Sequence, residues 1–333
     1  MTRPVTRIPG DGIGPEVAEA AVRVLDAAGA GIAWEPALAG TAALEAVGEV
    51  LPAATLDAIR RTGVALKGPL TTPVGGGHTS VNVAIRKALD LYANVRPVRS
   101  LPEVGGRFEN VDLVVVRENT EGLYSGIEHL VVPGVAVTLK VVTQHASRRI
   151  GRFAFALARD QGRRRVTAVH KANIMKLTDG LFLDSVREVA AEHPDIAYDE
   201  VIVDAMSMHL VLHPERWDVL VMDNLYGDIL SDLAAGLVGG LGLTPSGNIG
   251  DRTAVFEAVH GSAPDIAGRG VANPAALIRS GAMLLRHIGQ AEAADAVERA
   301  VRRALAGPVR TPDLGGTATT TQFADAIVGA LGP

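Results

Sequence analysis

Short β-branched runs that close on polar residues alternate along this chain with longer Ala/Leu-rich amphipathic stretches. That alternation restricts the fold more than any single motif. "GVALKG", "DLVVVREN", "RVTAVHKAN", "EVIVDAM" and "DVLVMDNLYGD" each read as a strand ending in polar residues. Between them lie segments of helical spacing, such as "HASRRIGRFAFALARDQG", where Ile150, Phe153, Ala154 and Leu157 share a face. Strands separated by helices form a largely parallel sheet covered by those helices. Ligand sites in such sheets gather beyond the carboxyl ends of the strands, so the polar closures are where chemistry is expected. Residues 122–143, "GLYSGIEHLVVPGVAVTLKVVT", differ: alternation and turn residues predict antiparallel strands in a smaller lobe or a dimer arm. The last third, from "NPAALIRSGAMLLRHIG" to "TTTQFADAIVGAL", is helical again.

The 333 residues suffice for one large α/β unit or two lobes, and 47% hydrophobic with 21% charged residues reads as globular. A net charge of −5 argues against a nucleic-acid surface; the basic knot "GRRRV" at 162–166 reads as a solvated loop entering a strand. There is no cysteine, so disulfides, thiolate metal sites and cysteine nucleophiles are excluded, and any metal must be held by oxygen or imidazole. The N-terminus carries no signal-like apolar region and no apolar run approaches the ~20 residues of a membrane span. No membrane partner and a cytoplasmic location are the resulting expectations.

The opening "IPGDGIGPEV" raises the question of a dinucleotide fingerprint. That fingerprint requires G-x-G-x-x-G after a strand and an acidic residue about 20 positions on. Gly10, Gly12 and Gly14 follow a strand-like run and Glu35 stands near the acidic position, but Pro15 occupies the place of the third glycine. The stretch is expected to be a tight strand-to-helix turn, with Pro15 in the first helical turn where its missing N–H costs nothing.

Five clusters have the composition of a site. In "KGPLTTPVGGGHTSVNVAIRKALDLYANVRPV" a helix is predicted from about Ser80, with Val81, Ile85, Ala88 and Tyr92 on its buried stripe. Asn82 and Arg86 lie one turn apart on the other edge and Arg96 follows; a helix N-terminus with two guanidinium groups suits a carboxylate or phosphate. In "VVVRENTEGLYSGIEH" Arg117, Glu118 and Asn119 close a strand and Tyr124 follows, a residue type able to act as a general acid. Lys171 in "VHKANIMKLTDG" leaves a strand and can take part in proton transfer if partly buried. Asp228 and Asp232 in "DNLYGDILSDLAAGL" sit one turn apart on a helix expected to begin after Gly227, and Asp204 ends "EVIVDAM". Three carboxylates without cysteine suit Mg²⁺ or Mn²⁺. The loop "EAVHGSAPDIAGRGVANP" has few bulky side chains, so a flat ring can approach its backbone, and Asp265 can accept hydrogen bonds from both hydroxyls of a ribose.

Taken together, "KGPLTTPVGGG", "SVNVAIR", "YANVRP", "RENTEGLYSGIEH", "HKANIMK", "NLYGDILSD", "GNIG" and "HGSAPDIAG" resemble, in order and spacing, the isocitrate/isopropylmalate dehydrogenases, a family of β-decarboxylating dehydrogenases. The resemblance covers nearly all of the chain. It implies a two-lobed, non-Rossmann α/β fold with a discontinuous large domain, residues 1–98 plus 253–333, and a small dimerisation domain, 99–252. It further implies that Ser80, Asn82, Arg86, Arg96 and Arg117 bind the carboxylates of a 2-hydroxy polycarboxylate. Asp204, Asp228 and Asp232 would hold Mg²⁺ or Mn²⁺, and Tyr124 and Lys171 would be catalytic. NAD would meet Ile13, Lys67, Thr72, His260, Gly261, Ser262, Ala263, Asp265, Ile266 and Asn273. A homodimer with shared sites is implied, Lys171 and Asp204 serving the partner. At Asp265-Ile266 the NADP-using members carry a Lys-Tyr pair, so NAD is expected. The Ser80-x-Asn82 pair with "RENTEGLYSGIEH" is most similar to NAD-dependent isocitrate dehydrogenases. Homoisocitrate, tartrate, 3-isopropylmalate or an isocitrate analogue stand behind isocitrate, and a non-catalytic regulatory subunit is the alternative of another class.

Overall fold

The computed structural model describes residues 2–71 and 80–332; Thr72, expected near the cofactor, lies outside them. The chain opens with β1 (Arg3–Ile8), α1 (Gly14–Ala27), β2 (Ile32–Pro36), α2 (Thr41–Val47), α3 (Ala53–Thr62), β3 (Val64–Lys67) and α4 (Val81–Ala88). It continues through β4 (Ala93–Arg99), β5 (Asp112–Glu118), β6 (Gly122–Val132), β7 (Val135–Val141), α5 (Gln144–Asp160), β8 (Arg165–His170), α6 (Thr178–Ala191) and β9 (Ala197–Ile202). Then follow α7 (Val203–Leu212), β10 (Val219–Met222), α8 (Asn224–Leu237), β11 (Pro245–Ile249), β12 (Ala254–Ala258), α9 (Ala275–His287), α10 (Ala291–Ala306) and α11 (Thr320–Leu331).

Two compact units form. The first comprises Met1–Leu91, Leu101–Gly106 and Gly239–Pro333, the second Tyr92–Ser100 and Arg107–Val238. The joints drawn from the sequence at 98/99 and 252/253 would cut ladders that the structure keeps whole. β4 pairs antiparallel with β5 along its full length and stays with the second unit; β11 pairs antiparallel with β12 and stays with the first.

In the first unit the strand order is β2-β1-β3-β12-β11, parallel except for β11. Side chains alternate faces along a strand. Val64 and Leu66 of β3 and Ala254 and Phe256 of β12 therefore join one core with α1, α9, α10 and α11. Ala65 and Val255, one residue out of phase, join another with Ile59 of α3 and Val81 and Ile85 of α4. Ala88 is exposed at the end of α4, and Leu89 rather than Ala88 completes its buried stripe.

The second unit repeats the logic with strand order β4-β5-β10-β8-β9, only β4 antiparallel. Leu113, Val115, Leu220 and Met222 pack with Met206 and Leu210 of α7 and Leu230 and Ala234 of α8. Val114, Val116, Val219 and Val221 are fully buried on the alternate face, where α5 lies against β5 and β10. β6 and β7 pair antiparallel as a separate hairpin, as the alternation predicted. The "GRRRV" knot enters β8, with Arg163 paired to Asp112 and Asp218.

Two local expectations need correction. α8 does not begin after Gly227: Asp223 accepts the Tyr226 N–H at 2.9 Å, satisfying an otherwise orphan donor, and starts the helix about one turn earlier. Asp204 does not end a strand but stands in the first turn of α7. Gly227 has a packing role instead, because a Cβ there would meet Cβ and Cγ of Arg117 at 2.5 Å. Gly227→Ala is therefore expected to cost about 1–3 kcal/mol of stability, measured by urea denaturation, from overpacking against a side chain that cannot retreat. Unchanged stability would mean that α8 can slide off β5 without penalty.

Candidate functional site

In each unit several candidate residues stand at or just after the carboxyl ends of parallel strands. In the second unit Arg117 closes β5, Lys171 follows β8, Asp204 follows β9 and Asp223 follows β10. In the first, the Gly10–Gly14 turn follows β1, Lys67 closes β3, and Glu257 and the 260–266 loop lie at the end of β12.

The densest group is centred on α8. Arg117 is 1% exposed; its Nε and Nη2 donate to Asn224 Oδ1 at 2.9 and 2.7 Å, and its Nη1 is paired with Asp228. Tyr124 donates its hydroxyl to Asp228 Oδ2 at 2.6 Å, and its ring lies 5.1 Å from the Arg117 guanidinium. Arg96 donates through Nη1 to Ser231 and Asp232, both at 2.7 Å, and through Nε to Asn94 at 2.9 Å. Burial opposes ionisation of Asp228, but the Arg117 charge, the Tyr124 hydrogen bond and Arg96 together hold its carboxyl below the usual range. Burial and the Asp228 carboxylate push the Tyr124 hydroxyl up, so it carries its proton at neutral pH. Glu118 turns back on its own strand end, accepting from the Thr120 and Glu121 backbone N–H groups.

Lys171 and Asp204 form a separate, outward pair, their side chains 27% and 68% exposed. Hydrogen bonding from Lys171 lowers the Asp204 carboxyl. The three aspartates are a hard oxygen set of the kind Mg²⁺ and Mn²⁺ take, which fits the expected ion chemically. Among the described residues, however, no group of three acidic or imidazole side chains comes together within one chain. Asp228 and Asp232 share one helix face and Asp204 stands apart from them.

One supporting network was not legible in the sequence. The Lys140 ammonium lies between Asp179 and Asp223, 2.5 Å from each, and 4.7 Å from the Tyr226 ring. Asp179 also accepts the Lys171 backbone N–H at 2.6 Å and the Tyr226 hydroxyl at 3.1 Å. Burial pushes the Asp223 carboxyl up against the pull of Lys140. β7, the residue after β8 and the cap of α8 thus meet at one buried charge. The residues lie at sequence separations where no local pattern links them; the unusual lysine in an otherwise apolar strand is the only signal.

In the first unit, Ser80 is the N-cap of α4 as expected, but its side chain makes no capping bond. Asn82 Oδ1 and Arg86 Nε are buried without a hydrogen-bond partner among the described residues. Arg86 reaches Glu257 at 3.3 Å. Lys67, expected at the cofactor, is 2% exposed and turned inward, paired with Glu257 at 2.6 Å and donating to the Gly68 carbonyl at 3.0 Å. Glu257 also accepts from Asn248 at 2.7 Å. Burial of its carboxylate is outweighed by Lys67, Arg86 and Asn248, which hold it far below the usual range.

Around the 260–273 segment, Ile13 is buried and donates its N–H to the Ser262 carbonyl. His260 Nδ1 lies 3.0 Å from the Gly261 carbonyl while Nε2 is buried without a partner among the described residues; burial lowers its pKa. Neutral, with Nδ1 protonated toward that carbonyl, it presents Nε2 as an acceptor. Ala263 has a positive φ of 38°, Asp265 is exposed, and Ile266 is half-buried. Asn273 is held at both ends of its amide, by Asp313 and by the Ala275 N–H.

A family described as "Isocitrate/isopropylmalate dehydrogenase" matches residues 4–327. The chain is 54% identical over 330 residues to "Isocitrate dehydrogenase [NAD] catalytic subunit 5, mitochondrial" of Arabidopsis thaliana, covering 98% of this chain and 88% of that one. It is 52% identical over 303 residues to "3-isopropylmalate dehydrogenase, chloroplastic" of Solanum tuberosum, covering 91% and 85%. Among solved structures it matches isocitrate dehydrogenase from Methylococcus capsulatus with a TM-score of 0.96 and 56% identity, each chain covered to 99%. Further relatives carry the names of alpha or regulatory subunits of NAD isocitrate dehydrogenase. The expected cytoplasmic location is corrected by these names, several of which belong to mitochondrial proteins. Among the described residues no helix is long and apolar enough to cross a membrane.

Removing the Glu257 charge leaves Lys67 buried and unpaired, so Glu257→Gln is expected to cost about 3–5 kcal/mol. The sign of its pH dependence follows from a depressed folded pKa. The Glu257 contribution is complete above the ordinary value of 4.5 and lost only as pH falls toward the folded value. The stability gap between wild type and Glu257→Gln, from urea unfolding at successive pH, should stay constant from neutrality to about 5 and narrow below 4.5. A gap that widens with acid would refute the pairing.

Proposed function

Because the chain belongs to the isocitrate/isopropylmalate dehydrogenase family, we propose that it oxidatively decarboxylates isocitrate to 2-oxoglutarate and CO₂ with NAD⁺ as hydride acceptor. The observation that carries this reading is the α8 group, in which Arg96, Arg117 and Tyr124 converge on Asp228 and Asp232. Guanidinium groups that pair with aspartates here are suited to substrate carboxylates, which offer the same planar fork. In the first unit Ser80, Asn82 and Arg86 are suited to further substrate carboxylates, and Asn82 Oδ1, without a partner among the described residues, supports a polar ligand at that place. Lys67, through the shared Glu257, positions Arg86.

The divalent ion would be held by Asp228 and Asp232 with Asp204, and would stabilise negative charge as it develops on substrate oxygen while the nicotinamide takes the hydride. Lys171 in its neutral form, with a metal-site aspartate, accepts the hydroxyl proton as the C–H bond breaks. The resulting β-keto acid loses CO₂, and Tyr124, which holds its proton at neutral pH, returns a proton to the carbon left behind. On the cofactor side, Ile13, the 260–266 loop and Asn273 take the adenosine half, and Thr72 serves the nicotinamide end. The exposed Asp265 carboxylate suits a free ribose diol and repels a 2′-phosphate, which supports NAD over NADP.

The chain acts as a homodimer, with Lys171 and Asp204 completing the partner's site. Two observations support this: the pair stands outward and apart from Asp228, and the β6–β7 hairpin of the same unit bears Leu130 at 71% exposure with Val131, Val132, Val135, Val137 and Leu139. Exposed apolar side chains gathered on one hairpin suit an interface.

The first test is initial rate of NADH formation with Mg²⁺, comparing NAD⁺ with NADP⁺ and isocitrate with homoisocitrate, 3-isopropylmalate and tartrate. Turnover of isocitrate with NAD⁺ at least about a hundred-fold above the other pairs is expected, a difference of about 2.7 kcal/mol in transition-state binding. Preference for another acid would keep the chemistry and move the substrate; silence on all would favour the regulatory-subunit reading. Sharing of sites is tested by mixing two inactive variants, Lys171→Met and Arg117→Met. Hybrid dimers then regain one intact site, and about a quarter of wild-type activity should return. No recovery in mixtures shown to exchange subunits would place Lys171 in its own chain's site.

A further inference from the structure

The opening glycine motif clasps two other stretches of the chain. Gly10 and Gly12 have φ of +85° and +59°, and a Cβ at Gly10 would overlap the Pro69 carbonyl, one at Gly12 the Ser262 carbonyl. At Gly14 the clash, at 2.5 Å, is with the Pro9 carbonyl. The close approach is used for hydrogen bonds: Asp11 N–H donates to Pro69 O at 2.7 Å and Ile13 N–H to Ser262 O at 2.9 Å.

Two carboxylates extend this grip. Asp11, 4% exposed, accepts four bonds: Thr41 Oγ1 at 2.7 Å and Ala42 N–H at 3.1 Å on Oδ1, Thr41 N–H at 3.1 Å and Thr71 N–H at 2.7 Å on Oδ2. Thr71, so placed, shares a 2.6 Å hydroxyl bond with Ser262. Glu16, in the first turn of α1, accepts the Gly270 N–H at 2.9 Å, the Ala272 N–H at 3.1 Å and the Thr320 hydroxyl at 3.4 Å. Segment 262–272 is thereby tied at one end through Ile13 and Thr71 and at the other through Glu16, directly before Asn273. Between the ties sit Ala263 at its positive φ, Asp265 and Ile266. A strained residue persists only where its surroundings over-determine it.

We propose that Asp11 and Glu16 are positioning residues for the cofactor, holding the 262–272 segment in its binding shape without touching the ligand. The proposal rests on the reading of that segment as the NAD site. Each carboxylate accepts N–H donors on both of its oxygens, so the amide isosteres fail: whichever way Asn or Gln is turned, its NH₂ faces another donor.

The test compares wild type with Asp11→Asn and Glu16→Gln by NADH fluorescence titration and by calorimetry of isocitrate binding with Mn²⁺. Each substitution is expected to weaken NADH binding about ten-fold, while isocitrate binding stays within about two-fold. Hydrogen exchange should speed up at the Thr71 amide in Asp11→Asn and at Gly270 and Ala272 in Glu16→Gln. Unchanged NADH affinity, or equal weakening of both ligands as general loosening would give, overturns the proposal. If either variant fails to fold, Thr71→Val, which removes one hydroxyl, decides: weaker NADH binding with intact isocitrate binding supports it, no change refutes it. Wild type that binds no NADH would instead refute the cofactor reading beneath.

Discussion

In β5 and β10, which are covered on both faces, the middle of each strand carries only apolar side chains. Val114, Val115 and Val116 of β5 and Val219, Leu220, Val221 and Met222 of β10 are fully buried, and the first polar residues beyond them are the candidates for chemistry. Arg117, Lys171, Asp204 and Asp223 follow from it in the second unit, and Lys67, Glu257 and the Gly10–Gly14 turn in the first. The sheets thus decide where functional groups stand before any of their interactions form.

What those groups do next is governed by charge. An arginine that is 1% exposed cannot be left alone, and Arg117 answers with Asn224 and Asp228 from the first two turns of α8. Gly227 lets the helix come close enough for this, and Asp223 sets where it starts. The same demand pairs Lys67 with Glu257, and Lys140 with Asp179 and Asp223. Burying a charge is expensive unless it is paired and hydrogen-bonded. Arg117 and Lys140 thus tie strands to helices, while Lys67 and Glu257 tie two strand ends together, and opening any one of them leaves a buried charge unpaired.

The alternation of strands and helices was legible because period-2 and period-3.6 patterns are local, and the polar closures located the candidate residues. The hairpin at 122–141 was legible for the same reason. The start of α8 was misread because glycine looked like a boundary, whereas Gly227 is buried against Arg117, more than a hundred residues away in sequence. Asp204 was assigned to a strand because "EVIVD" has β-branched character up to its last residue, yet α7 begins at Val203. The domain joints were drawn at local breaks, although pairing of β4 with β5 and β11 with β12 decides them. Lys140 and the roles of Asp11 and Glu16 were invisible because their partners are distant in sequence.

The opening motif shows where such reading has a physical limit. Glycine spacing reports only that something must approach the backbone closely. A phosphate and a carbonyl-bearing chain segment make the same demand, since both need the space of a Cβ and both can engage backbone N–H groups. At Gly10 and Gly12 the approaching groups are the Pro69 and Ser262 carbonyls. The flanking acids discriminate between the two cases. A carboxylate beside a phosphate would be repelled, so a glycine turn carrying Asp11 within it and Glu16 just after it is built to receive N–H donors from protein. The charge of the residues between and after the glycines, rather than the glycines themselves, tells a chain clasp from an anion cradle.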